Sequence, residues 1–239
     1  MTYEQIVEEI KQFHMAIEHN HIDVDRNKDH IVAMSDDPEI NTTAKYLASF
    51  NADSVIDIGC GRNPYKEKVP NLIGFDIRDD VKGPDYVKSL KQIYTEKIIQ
   101  EGSVDLAYAS AVMLCMGPRS HIEKNLSYIS KLLKPGGFFF TKLHRAYMLN
   151  SVPNAHRLVQ DEMIITENTP LGTWIRGFKI GSTRDVGDFV GTLYTYKWSE
   201  DDIDQLSSKY NLRVEKVCDY NKDHAGKRRT AVLFRKNHA

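Results

Sequence analysis

One strand that runs directly into two closely spaced glycines constrains the fold of this chain more than any other feature. Residues 55–63 read Val-Ile-Asp-Ile-Gly-Cys-Gly-Arg-Asn. Glycine adopts left-handed backbone angles and lets a ligand approach the main chain, and nucleotide-like ligands bind at such turns in open α/β sheets. We therefore predict a ligand-binding turn at Gly59, Cys60 and Gly61. Asp57, two residues before the first glycine, can orient this turn through backbone N–H groups or receive a ligand ammonium group.

Strand-like and helical patterns alternate through the middle of the chain. Short apolar runs predict strands at 55–58, 72–75, 86–87, 104–108 and 138–141, and helical patterns lie between several of them, at 90–100 and 121–133. This alternation predicts an α/β fold with a parallel sheet covered on both faces. A capped helix at 199–209 precedes two more strand-like runs at 212–219 and 230–235, which predict antiparallel pairing at one edge of the same sheet.

The length of 239 residues suits a single domain spanning 1–239. We divide it into N-terminal helices (1–50), a central core (51–144), an insert (145–198), and a C-terminal helix and hairpin (199–239). In the first part, apolar residues at spacings of three and four predict a helix over 3–17, and acidic caps before Pro38 predict a second helix towards residue 50. The insert has no clear period, and long segments of this kind inside a compact domain are usually functional.

Composition and charge exclude several classes of protein. Lys plus Arg number 32 and Asp plus Glu number 33, so no global basic field favours a dedicated duplex-binding protein. No apolar run approaches the ~18 residues of a membrane span, and the acidic start does not resemble an export signal. The three cysteines form no CxxC pair, so we expect a reduced, cytoplasmic protein. The histidines and aspartates of 19–30 match no established zinc or calcium spacing, so we expect no metal.

A second acidic residue narrows the choice of ligand. The strand at 72–75 ends in Asp76, nineteen residues after Asp57, where a carboxylate can accept hydrogen bonds from both ribose hydroxyls. A nicotinamide dinucleotide site would require a third glycine where Pro64 stands. Only thirteen residues separate the two strands, which leaves room for little more than one helical turn. These features favour S-adenosylmethionine over a dinucleotide.

Over residues 55–143 the chain resembles class I S-adenosylmethionine-dependent methyltransferases in four sequence features, which follow one another in the order typical of that family. They are Asp57-x-Gly59-x-Gly61, Asp76, the strand at 105–108, and Leu-Leu-Lys-Pro-Gly-Gly at 132–137. The resemblance implies a Rossmann-like fold, a seven-stranded, mostly parallel sheet with helices on both faces and an antiparallel last strand. Residues 51–144 would then form the cofactor-binding core. Gly59 and Gly61 would approach the methionine part of the cofactor. Asp76 would bind its ribose, and Ile77 one face of its adenine, while Cys60 would touch the ligand by position.

The chain departs from the family pattern at three places. Asn63 stands where the family commonly has a third glycine. Residues 88–90 read Lys-Ser-Leu where many relatives carry an acid that binds the adenine amino group, so we expect Ser89, with Leu90 beside it, or backbone groups to serve there. Residues 113–115 read Met-Leu-Cys in place of a Leu-Glu-His segment, which removes an easy acid/base assignment.

Candidate catalytic residues stand where the fourth and fifth strands end, at Tyr108, Ser110, Lys142 and His144. Ser110 is also a candidate for cofactor binding. His144 is the best general base on pKa grounds because an imidazole titrates near neutral pH. A histidine at the polar rim of the site, without a catalytic role, is the alternative.

The sequence predicts only the chemical class of the methyl acceptor. Residues 109–111 read Ala-Ser-Ala, which lacks the Asn/Asp-Pro-Pro-Tyr motif of many enzymes that methylate base amino groups. With the near-zero net charge, this favours transfer to an O or N nucleophile of a small molecule. The insert would lie on the acceptor side, with aromatic residues and Arg176 available to it. Two alternatives remain: an RNA or protein methyltransferase, and an inactive S-adenosylmethionine-binding scaffold. The sequence does not predict the oligomeric state.

Overall fold

The computed structural model describes residues 38–79, 81–110, 119–143, 157–160, 163–164, 174–180, 189–196, 200–222 and 228–238. Four helices lie in these ranges: α1 (Pro38–Ala48), α2 (Leu90–Thr95), α3 (Arg119–Leu132) and α4 (Glu200–Lys209). None of these four is long and apolar enough to cross a membrane. The predicted helix over 3–17 and the histidine-rich segment 19–30 lie outside the described residues.

Seven strands form the main sheet. They are β1 (Val55–Ile58), β2 (Leu72–Asp76), β3 (Tyr86–Val87), β4 (Val104–Ser110), β5 (Leu133–Leu143), β10 (Leu212–Lys222) and β11 (Arg228–Lys236), in the order β10-β11-β5-β4-β1-β2-β3. The five neighbouring strands β3, β2, β1, β4 and β5 pair in parallel. In contrast, β11 runs antiparallel to both β5 and β10. This sheet confirms the architecture implied by the family resemblance, including its antiparallel last strand.

Helices pack on both faces of the sheet because side chains alternate along each strand. On one face, Ile56 and Ile58 of β1 belong to a core cluster that includes apolar residues of α2, α3 and α4. On the other face, Val55 belongs to a second cluster with Leu47 of α1. Truncating a buried side chain in either cluster to Ala would cost roughly 2–5 kcal/mol.

Several helices and strands differ in length from their predictions. The helix predicted over 90–100 ends at Thr95 because Glu96 caps it, and Lys97 then takes a left-handed φ of 55°. The fifth strand is longer than predicted and follows α3 directly. The predicted second helix is α1, which begins at Pro38 as expected and ends at Ala48.

The insert contains a second sheet. Its strands are β6 (Arg157–Gln160), β7 (Met163–Ile164), β8 (Trp174–Ile180) and β9 (Phe189–Tyr196), in the antiparallel order β7-β6-β8-β9. The sequence showed no clear period here, although β8 and β9 pair over seven positions. Short antiparallel strands need no long apolar run, which explains why the pattern was missed.

Candidate functional site

Three left-handed residues shape the turn that follows β1. Gly59, Gly61 and Asn63 have φ angles of 69°, 54° and 54°. The backbone N–H groups of Gly59 and Cys60 both donate to the Phe75 carbonyl oxygen of β2, at 2.8 and 3.1 Å. A Cβ atom at Gly61 would meet nothing within 4 Å. The turn is therefore fixed to β2 on one side and open at Gly61 on the other.

Asp76 connects this turn to the loop that follows β2. Its Oδ2 accepts a hydrogen bond from the Gly61 backbone N–H at 2.8 Å, and its Oδ1 accepts one from the Arg78 backbone N–H at 3.0 Å. A carboxylate accepting two backbone N–H groups is held in one orientation. Asp76 therefore lies directly beside the glycine turn, which brings together two signals fifteen residues apart in the chain.

Asp57 is buried beneath the turn, with only 2% of its surface exposed. Its Oδ2 has no hydrogen-bond partner. Burial and the charge of Asp76 raise the pKa of Asp57 to about 8, although Lys142 lowers it. The backbone N–H groups of Gly59, Cys60 and Gly61 bind other oxygens, so none of them satisfies Asp57 Oδ2. The buried acid therefore keeps its proton at neutral pH, and a cationic group beside it would favour its charged form.

Polar side chains from β4 and β5 lie on the same face of the sheet as Asp57. Asp57 is the register partner of Tyr108, and Ser110, one alternation further along β4, is the partner of Lys142. The buried Lys142 ammonium donates to the Thr43 hydroxyl of α1 at 2.7 Å. The carboxyl end of the sheet thus carries acidic, hydroxyl and basic groups on the face covered by α1.

Tyr108 is completely buried in this arrangement. Its ring stacks on Phe140 at 5.6 Å and meets Tyr65 edge-on at 5.4 Å. Its hydroxyl lies 3.5 Å from the Tyr65 hydroxyl, and burial raises its pKa well above the ordinary value. A phenol in these surroundings holds its proton tightly, and the catalytic role of Tyr108 stays a prediction.

Ser89 and Leu90 lie at the start of α2. The Ser89 hydroxyl accepts a hydrogen bond from the Gln92 backbone N–H at 3.3 Å, and the Gln92 side chain accepts one from the Ser89 N–H at 2.9 Å. This reciprocal pair is a capping box. Ser-x-x-Gln is visible in the sequence, but its structural role was missed. Leu90 is buried in the core cluster of α2, α3 and α4.

Of the remaining candidate site residues, the structure describes Cys60 and Ile77 but not His144. The buried Cys60 thiol has its pKa raised by burial and by the charges of Asp57 and Asp76, so it is a poor nucleophile. Ile77 is half-buried, next to Asp76. His144 and the Met-Leu-Cys segment at 113–115 lie outside the described residues.

The groups around the turn fit S-adenosylmethionine better than a metal. Its methionine part is zwitterionic, and the unpartnered Oδ2 of Asp57 suits a cationic group. The ribose hydroxyls suit Asp76. Among the residues that the structure describes, no group of three His, Cys, Asp or Glu side chains could hold a metal ion.

A cavity of about 230 Å³ lies at the opposite, amino end of the sheet. Two charged residues of its lining pair with each other, Lys134 Nζ and Asp105 Oδ1 at 2.7 Å. Asp105 also accepts from the Ser54 backbone N–H at 3.0 Å. These groups satisfy one another, so we assign this cavity no function.

Comparisons with known proteins identify the fold. No family model matches the sequence, and no curated protein matches it. Among solved structures, 1,6-didemethyltoxoflavin-N1-methyltransferase from Burkholderia thailandensis is similar over 99% of this chain and 91% of its own, with a TM-score of 0.59 and 12% identity. An S-adenosylmethionine-dependent methyltransferase from Clostridium acetobutylicum matches over 83% and 90% (TM-score 0.54, 14% identity). The CcbJ methyltransferase from Streptomyces caelestis matches over 84% and 90% (0.56, 11%). This chain therefore has the class I, Rossmann-like fold of S-adenosylmethionine-dependent methyltransferases.

Proposed function

We propose that this protein is an S-adenosylmethionine-dependent methyltransferase that acts on an O or N nucleophile of a small molecule. The observation that carries the proposal is the pair of buried acidic side chains, Asp57 and Asp76, at the glycine turn. Asp76 accepts the Gly61 backbone N–H, while Asp57 keeps one oxygen without a partner. A turn with open space at Gly61, and beneath it an acid with one unpartnered oxygen, suits a ligand that carries both a ribose and an ammonium group.

Each residue around the turn has a role in this proposal. Asp57 receives the ammonium group of the methionine part, which replaces the missing hydrogen bond of its Oδ2. Gly59, Cys60 and Gly61 lie along the methionine part. Asp76 binds the ribose hydroxyls. Ile77 covers one face of the adenine, and Ser89 with Leu90 borders its edge.

The cofactor supplies an activated methyl group on a sulfonium, so the protein's contribution is chiefly to orient the acceptor and exclude water. A general base is needed only where the acceptor must lose a proton before attack. We propose Ser110, at the carboxyl end of β4, as a polar contact to the cofactor or acceptor. Of the two predicted candidates for proton transfer, His144 and Tyr108, we propose His144, because the Tyr108 hydroxyl is buried.

The small-molecule acceptor is supported by charge and by one structural neighbour. The net charge of −1 provides no overall attraction to a polyanion. The Burkholderia enzyme contains bound 1,6-didemethyltoxoflavin and S-adenosylhomocysteine and matches nearly the whole of this chain. An RNA or protein acceptor, and a scaffold without transferase activity, are the alternatives.

Calorimetric titration with S-adenosylmethionine tests the cofactor. We expect saturable binding by the wild type and a loss of at least about 100-fold in affinity for Asp76→Ala, because two charge-assisted hydrogen bonds to the ribose disappear. Asp105→Ala is the matched control, since Asp105 also accepts a backbone N–H but lies at the other end of the sheet. Equal affinity for Asp76→Ala and the wild type would reject the ribose assignment.

Methyl incorporation into a cell extract, fractionated by size, tests the acceptor. Label from S-adenosylmethionine in the small-molecule fraction supports the proposal, whereas label in RNA or protein supports the corresponding alternative. Tight cofactor binding with no label in any fraction would favour the scaffold.

A further inference from the structure

Asn63, which stands where the family commonly has a third glycine, has a left-handed backbone conformation. Its φ is 54°, in the left-handed region, where asparagine is tolerated better than most residues. Unlike a glycine, however, it brings a side chain into the interior. Only 5% of Asn63 is exposed.

The Asn63 amide occupies space that only a glycine on β2 leaves open. A Cβ atom at Gly74 would lie 2.6 Å from Asn63 Nδ2 and 2.8 Å from its Oδ1. Gly74 is two residues before Asp76 on the same strand, so both lie on one face of the sheet. The side chain of Asn63 therefore packs directly beside the strand that presents Asp76.

The same amide also binds the loop that follows β2. Asn63 Nδ2 donates to the Gly83 carbonyl oxygen at 3.1 Å. Gly83 has a φ of 137°, and a Cβ atom there would lie 2.5 Å from the Arg62 carbonyl oxygen. The backbone of the loop thus lies in close contact with the backbone of the turn, and Asn63 provides a side-chain hydrogen bond between them.

Asp85 closes the loop onto β2. Its N–H donates to the Gly74 carbonyl oxygen and its Oδ2 accepts the Gly74 N–H, both at 2.8 Å. Lys66 Nζ lies 2.8 Å from each carboxylate oxygen. Burial raises the pKa of Asp85, but hydrogen bonds from Lys66, Gly74 and Asn63 outweigh it and leave the pKa below its ordinary value. Asn63 is therefore one part of a network that fixes this loop.

We propose that Asn63 is a positioning residue for the cofactor. Its side chain holds the glycine turn (59–63) and the described residues of the next loop, 77–79 and 81–85, at a fixed separation around Asp76. The inference rests on the proposed function. Asp76 accepts one hydrogen bond from each segment, from Gly61 and from Arg78. A change in their separation would rotate the carboxylate away from both ribose hydroxyls, although Asn63 itself need not touch the cofactor.

Two substitutions at Asn63 distinguish the effect of its side chain from the effect of its left-handed backbone conformation. Asn63→Asp keeps the size of the side chain and removes the donor to Gly83. Asn63→Gly keeps the left-handed φ and removes the side chain. Asn71 offers a matched control, since its φ is 56° but it is exposed in the turn before β2. Asn71→Asp and Asn71→Gly make the same chemical changes away from the network.

The readout is the dissociation constant for S-adenosylhomocysteine at 10 °C, with folding checked by circular dichroism. We expect both Asn63 variants to bind about tenfold or more weakly than the wild type, because a misoriented Asp76 loses about one charge-assisted hydrogen bond to the ribose. Both Asn71 variants should bind within about twofold of the wild type. A purely structural role would lower the melting temperature and leave the affinity of the folded protein unchanged.

The outcomes separate this inference from the proposed function. Wild-type protein that fails to bind S-adenosylhomocysteine would reject the proposed function. Wild-type binding with Asn63→Gly affinity within about threefold of it would overturn the positioning role alone. If Asn63→Asp does not fold, the affinity of Asn63→Gly alone tests the positioning role, because glycine retains the left-handed backbone angles of Asn63.

Discussion

Replacing Asp57 with Asn should make the folded protein more stable and cofactor binding weaker. The structure buries the Asp57 carboxyl completely and leaves its Oδ2 without a hydrogen bond. Asparagine has nearly the same shape and no charge. The substitution therefore removes the cost of ionising a buried acid, and it also removes the proposed partner of the ligand ammonium group.

The size of the effect follows from the pKa of Asp57, which rises from 3.8 to about 8 on folding. Below pH 4 the acid is protonated in both states. Between pH 4 and 8 the native state keeps a proton that the unfolded chain has lost, so stability falls as pH rises. The slope is about 1.36 kcal/mol per pH unit and falls off near the native pKa, so the wild type loses about 2 kcal/mol between pH 6 and 8 that Asp57→Asn does not lose. Above pH 8 the difference is constant.

Urea unfolding of both proteins at pH 6, 7, 8 and 9, without cofactor, measures this difference. We expect the Asn variant to gain stability relative to the wild type up to pH 8 and then to show a plateau. Parallel stability curves across the whole range would refute the reasoning, since they would mean that Asp57 is ionised in the native state at pH 6.

Calorimetry on the same proteins tests the second half of the prediction. Loss of the carboxylate should weaken S-adenosylmethionine binding at pH 8 by about tenfold or more, the value of a hydrogen bond to a charged group. Unchanged affinity in the Asn variant would exclude Asp57 as the ammonium partner.

Three further substitutions, with Gly102→Ala as a control for the first, test other parts of the site. Gly61→Ala should cost about 1–2 kcal/mol in urea unfolding and should also weaken S-adenosylmethionine binding. Gly102→Ala, with φ 69° and open surroundings, should show the stability cost alone. Tyr108→Phe should keep methyl transfer within about threefold, whereas a general base would lose about 100-fold or more. Ser89→Ala should lower stability by about 1 kcal/mol through loss of the α2 cap, and unchanged stability would contradict the capping role.

The sequence predicted most of the sheet because its signals are local. The apolar runs of β1, β2 and β4 and the glycines that follow β1 depend only on alternation and backbone freedom, which neighbouring residues determine. The glycine turn with Asp57, the acid Asp76, the strand at 105–108 and the Leu-Leu-Lys-Pro-Gly-Gly segment at 132–137, in this order along the chain, together indicated the family fold. The four strands of the insert escaped prediction because their pairing is not expressed in a regular apolar pattern.

The properties of the site depended on residues far apart in the chain. Local patterns identified Asp57 and Asp76 as candidates, but the ionisation of Asp57 depends on burial by surrounding elements and on Lys142. Asn63 was noted only as a missing glycine, since its partners Gly74 and Gly83 lie on β2 and in the loop beyond it. Sequence alone determined which backbone turns and strands could form. Tertiary structure decided the charges and hydrogen bonds of their side chains, because solvent exclusion and electrostatic energies depend on spatial neighbours.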